Sequence, residues 1–97
     1  MEKWVSFENG QTLGQLGTED GVILKDEEMP GIGRITLEGK RTEASITCGL
    51  YGTFFDTVSS SLEDGPQKYD EMKLALENSP DGLEELEVWC DWFVNKF

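Results

Sequence analysis

An α+β domain is the fold this chain of 97 residues predicts. The expected form is an antiparallel β-meander of four to five strands followed by two C-terminal α-helices packed on one face. Three observations predict it. Apolar and polar residues alternate through residues 32–50. The apolar period then lengthens from two to about 3.6 near residue 60. Glycine- and proline-containing breaks punctuate the runs.

Taken in order, Trp4-Val5-Ser6-Phe7 is a short β-prone run, closed by the turn signal Asn9-Gly10. Residues 9–21 are rich in glycine and carry little apolar pattern, which predicts a loop. Val22-Ile23-Leu24 is a compact apolar run, ended by the charged stretch Lys25-Asp26-Glu27-Glu28. Met29-Pro30-Gly31 is a second break. In Ile32–Glu38, Ile35 and Leu37 point one way while Arg34, Thr36 and Glu38 point the other. After Gly39-Lys40, Ala44, Ile46, Cys48 and Leu50 alternate with Glu43, Ser45, Thr47 and Gly49. The pair reads as a hairpin with one buried face. Gly52–Val58 supplies a further strand. Tyr51, Phe54 and Phe55 cannot share one side of it, so at least one lies outside the main core.

Gly65-Pro66 puts proline at a first helical position. Ser60-Ser61-Leu62-Glu63 also fits a capping box one turn earlier. Tyr69, Met72 and Leu76 share a face. Ser79-Pro80-Asp81-Gly82 ends that helix and starts the next, with Ser79 or Asp81 as N-cap. In the final helix, Leu83, Leu86, Cys90, Phe93, Val94 and Phe97 form the expected core face at about 100° per residue. Glu84, Glu87 and Asp91 form an acidic stripe, and Trp92 projects nearly opposite the core face.

Composition bounds the function. The chain holds 20 acidic and 8 basic residues and no histidine, for a net charge of -12. The acids concentrate toward the C-terminus: residues 1–50 carry -4 and residues 51–97 carry -8. Like charge at this density keeps a small domain soluble and steers basic partners toward it. Direct nucleic-acid binding is disfavoured, because eight scattered cations do not offset phosphate repulsion. Without histidine there is no His-based acid–base pair, activated nucleophile or His metal ligand. Cys48 and Cys90 alone do not make a zinc site. No phosphate-binding glycine pattern or calcium loop is present. We therefore expect no catalytic residues, no metal and no cofactor.

No apolar stretch reaches membrane-spanning length, and the N-terminus lacks a signal-peptide pattern. Both cysteines sit in apolar patterns and are expected to be buried, reduced thiols. These features predict one cytoplasmic domain over residues 1–97.

Binding surfaces remain. The expected partner-facing residues are Glu84, Glu87, Asp91 and Trp92, with Asp26, Glu27 and Glu28 as a second acidic patch on a loop. Tryptophan off a core face is a favoured interface anchor.

The middle of the chain carries a resemblance. The succession Asp26-Glu27-Glu28, Arg34-Ile35-Thr36-Leu37-Glu38, Ile46-Thr47-Cys48-Gly49-Leu50-Tyr51-Gly52 and Tyr69-Asp70-Glu71-Met72-Lys73 resembles the tenth family of small bacterial immunity proteins, from polymorphic-toxin systems. The likeness covers roughly residues 21–78. Thr53-Phe54-Phe55-Asp56-Thr57 departs from it in lacking a histidine. The resemblance implies a cytoplasmic protein that binds and blocks a cognate toxin domain. Charge and resemblance together predict a toxin-neutralising protein whose acids pair with a basic cleft. Two other readings use the same composition. One is an acidic DNA mimic that inhibits a nucleic-acid-binding protein. The other is a homo-oligomeric structural module, since the surface leaves a homodimer open.

Overall fold

The computed structural model describes residues 3–97. Five strands form one antiparallel sheet in sequence order: β1 (Val5–Ser6), β2 (Val22–Met29), β3 (Gly33–Gly39), β4 (Glu43–Leu50) and β5 (Phe54–Ser61). Two helices follow, α1 (Gly65–Glu77) and α2 (Leu83–Lys96). The architecture is the predicted α+β meander with C-terminal helices.

Local chemistry sets the turns. Pro30 and Gly31 occupy the centre of the β2–β3 turn, closed by the Ile32 N–H donating to the Met29 carbonyl at 2.9 Å. Gly31 has φ +76°, which a type II turn requires at its third residue. The β4–β5 turn repeats this arrangement with Gly52 at φ +76° and Thr53 N–H donating to Leu50.

The alternation places Ile35, Leu37, Ala44, Ile46, Cys48, Leu50 and Val58 on the face beneath α1. Tyr69, Met72 and Leu76 of α1 and Phe93 of α2 close this core from above. α1 packs across β3, β4 and β5. Gly65 lets its first turn approach the sheet, since a Cβ there would stand 2.8 Å from Ala44 Cβ.

The opposite face is partly roofed by residues 11–21. This glycine-rich segment forms no regular element, yet it is pinned to the sheet. Glu38 Oε1 accepts the N–H groups of Glu19 and Gly21, each at 3.1 Å. Gly17 lies against the same carboxylate, where a side chain would not fit. Thr36, Glu38 and Ser45 are consequently buried on a face whose sequence reads as polar.

Several expectations are corrected. The acidic stretch Asp26-Glu27-Glu28 is not a loop: β2 runs through it to Met29, because each carboxylate meets a donor. The helix does not start a turn earlier: Ser60 and Ser61 end β5, the Ser61 hydroxyl accepts the Asp64 N–H, and Asp64 occupies the N-cap position of α1 with no side-chain cap bond. Gly82, not Ser79 or Asp81, occupies the N-cap of α2, with no side-chain cap bond. Cys48 is buried, but Cys90 is only partly covered; both are free thiols.

Candidate binding surface

The two acidic groups have different surroundings. On β2, Asp26 is only 3% exposed. Its Oδ1 accepts from Arg34 Nε at 2.9 Å and Thr36 Oγ1 at 3.0 Å. Its Oδ2 accepts from Arg34 Nη2 at 2.6 Å and Thr12 Oγ1 at 2.8 Å. The bidentate fork is the strong form of this pair, and hydrogen bonding to Asp26 raises the Arg34 pKa above its ordinary value despite burial. The Phe7 ring covers the guanidinium at 3.5 Å.

Glu27 points to the helix side. It accepts the Tyr69 hydroxyl at 2.7 Å and pairs with Lys73 at 2.9 Å. Burial disfavours its charge, but the hydrogen bonds from Lys73 and Tyr69 outweigh this and hold its pKa below the ordinary 4.5. Burial and the bond to Glu27 push the Tyr69 phenol strongly up. Glu28 accepts the Tyr51 hydroxyl at 2.6 Å, and burial with that bond raises the Tyr51 pKa to about 12. Each of these three acids is hydrogen-bonded within the fold; Asp26 is buried, while Glu27 and Glu28 are half-buried.

On α2, Glu84, Glu87 and Asp91 are all exposed. None forms an ion pair among the described residues. The stripe from Glu84 to Asp91 spans about 10 Å at 1.5 Å per residue. It lies opposite Phe93, the one buried residue of α2.

Trp92 stands about 100° from Phe93, at the border of the packed face rather than opposite it. It is 47% exposed. Its ring lies 6.3 Å from Trp89 and 6.4 Å from Phe97, extending a cluster in which Phe93 contacts Phe54, Trp89 and Phe97. Trp92, Trp89 and Phe97 line a groove of about 540 Å³ between the helices, with Leu74 and Ala75 of α1 and its C-cap Asn78 on the other side. The expected core face is rotated as a result. Trp89 packs inward, whereas Leu83 is 81% and Val94 52% exposed. Helical spacing alone did not reveal which flank would find the sheet.

A second concavity, about 840 Å³, lies on the far face of the sheet. The 12–18 segment and the Tyr51–Phe55 turn form its walls, and Thr36 and Thr47 line it. No sequence pattern marks it, because the segment that forms one wall has no periodicity. Among the described residues, no three Cys, Asp or Glu side chains converge as a metal-binding group. Nor is any helix long and apolar enough to cross a membrane.

No family model, curated protein or solved structure matches the chain.

Proposed function

We propose that this chain is a toxin-neutralising immunity protein that docks a basic toxin domain on the outer side of α2 and blocks it by occlusion, acting in the cytoplasm. One observation carries this reading. Glu84, Glu87 and Asp91 stand exposed on the outer side of α2 and, among the described residues, without ion-pair partners, while the half-exposed Trp92 borders an apolar groove on an adjoining side of the same helix. An exposed aromatic anchor and uncompensated acids on one helix supply an interface hot spot and a steering field. The resemblance of residues 21–78 to immunity proteins supports the choice of a toxin as the basic partner. The DNA-mimic reading is less supported, since Asp26, Glu27, Glu28 and Glu38 are spent inside the fold and do not extend the acidic track.

The test is neutralisation. The native chain is used to capture its partner from the host that encodes it. The captured gene is then expressed alone and with this chain. Growth arrest relieved by the wild type, and not by the variant combining Glu84→Gln, Glu87→Gln, Asp91→Asn and Trp92→Ala, supports the proposal. A partner that is harmless alone, or one neutralised equally by that variant, rejects it.

A further inference from the structure

The two edges of the sheet are finished differently. At the β2 edge, β1 pairs with Glu27 and Glu28. Residues 14–16 continue the cover: the Gly14 N–H donates to Ile23 at 2.8 Å and the Ile23 N–H to Gln15 at 2.9 Å. At the other edge, β5 pairs with β4 alone among the described residues. The Leu62 N–H donates to the Thr42 carbonyl. Antiparallel alternation then directs Ser60, Val58, Asp56 and Phe54 to β4. The N–H and C=O groups of Phe55, Thr57, Ser59 and Ser61 face outward. β5 carries no lysine, no proline and no bulge, and its one charged residue is Asp56.

α2 meets the sheet at this edge strand: Trp89 and Phe93 stack on Phe54, the first residue of β5. Trp92 faces the groove shared with α1, which itself lies over β3 to β5. The other flank of Phe93, turned from that groove at about 100° per residue, holds Cys90, Leu83 and Val94. Leu83 and Val94, patterned as core, are exposed there.

We propose that the outer edge of β5 accepts an extended segment of a basic partner as a sixth antiparallel strand. The inference rests on the reading of this chain as a binder of a basic protein. The added strand would place alternate apolar side chains on the helix side of the sheet, toward Leu83, Cys90 and Val94. Its other side chains would project beside Phe55, which is 75% exposed on the far face. Basic residues suit a domain of net charge -12. Main-chain hydrogen bonds provide the attachment and the alternate side chains the selectivity. A second copy of this chain fits less well, because pairing β5 with β5 would bring together two domains that each carry a net charge of -12.

The probe is a synthetic peptide as long as β5, alternating valine and lysine, studied by amide hydrogen exchange and titration. Without peptide, the amides of Phe55, Thr57, Ser59 and Ser61 should exchange fast and those of Phe54, Asp56, Val58 and Ser60 slowly. Saturating peptide should protect the first set. Thr57→Pro removes an outward N–H and leaves the β4 ladder whole, as proline is tolerated on edge strands. It should weaken binding by about tenfold or more, the effect of losing one or two net hydrogen bonds. N-methylation of alternate peptide amides should do the same without altering the protein, which keeps the test decisive if Thr57→Pro misfolds. Binding insensitive to N-methylation but abolished by neutralising Glu84, Glu87 and Asp91 overturns the strand inference and leaves the acidic docking surface standing. Binding sensitive to N-methylation but indifferent to those acids at every salt concentration supports the strand site and removes the stripe. Protection that grows with protein concentration in the absence of peptide assigns the edge to a second copy, and an edge that ignores the peptide rejects the site.

Discussion

Two groups of three acids, one on β2 and one on α2, have the same composition and opposite fates. Asp26, Glu27 and Glu28 alternate across a strand, so the fold presents them to donors on both faces. Arg34, Thr36 and Thr12 take one side, and Tyr69 and Lys73 the other. Glu84, Glu87 and Asp91 share one side of a helix whose opposite side is packed, and among the described residues they meet no ion-pair partner. Net charge is thus a poor guide to function until the internal carboxylates are subtracted. What remains on α2 is the fraction available to a partner.

The comparison breaks most visibly at Asp26. Asp26→Asn leaves Arg34 beneath Phe7 without its counter-charge; because the Arg34 side chain is 36% exposed, the cost should fall below that of a fully buried pair, at about 2 kcal/mol. Urea unfolding should show a lowered midpoint with an unchanged slope. A loss below about 1 kcal/mol would mean that the pair is as dispensable as a surface bridge.

Trp92→Ala should change binding more than folding. Its ring is half in solvent, so the unfolding midpoint should move little. Dissociation of the proposed basic partner should accelerate by the equivalent of about 2 kcal/mol, the scale of an aromatic anchor. Surface plasmon resonance with the purified partner separates the two. An unchanged off-rate places the anchor elsewhere.

The pH dependence sharpens the contrast further. In the fold, Glu27 titrates below 4.5, and in the unfolded chain it titrates near that value. A depressed carboxylate contributes stability that is present above the unfolded pKa and lost as pH falls through the folded one. Wild type should therefore exceed Glu27→Gln in stability at neutral pH, and the difference should shrink as pH falls below 4.5. Parallel stability curves across the acid range would contradict the Lys73 and Tyr69 assignments.

The smallest stability effect belongs to α2. The triple variant Glu84→Gln, Glu87→Gln, Asp91→Asn should unfold within about 0.5 kcal/mol of wild type, as exposed charges contribute little. Its signature is kinetic: slower association and a flatter dependence of the on-rate on salt. If it unfolds markedly earlier, the stripe has a structural role like that of the β2 acids.

The strands β3 and β4 were legible because alternation with one buried face leaves few registers open. So were the positions of both helices, from Gly65-Pro66 and the switch of period. The end of β2 was not. Lys25 to Glu28 reads as a solvated break in one dimension, and only cross-strand Arg34 and the overlying Tyr69 and Lys73 make it a strand. The candidate site was legible in part. Glu84, Glu87 and Asp91 are as exposed as their spacing implied, whereas Trp92 sits at the border of the packed face, because the aromatic cluster turns α2 toward Phe54 and α1.

By itself the sequence determined the α+β class, the meander, the core alternation and the concentration of acid in the second half, since these depend on local periodicity and composition. The tertiary structure decided which acids are internal, which flank of α2 stays bare and that the 11–21 segment roofs the far face. Those outcomes depend on contacts between residues far apart in the chain, such as Glu38 with Gly21 or Tyr69 with Glu27, and no local pattern encodes the partner a buried carboxylate will meet.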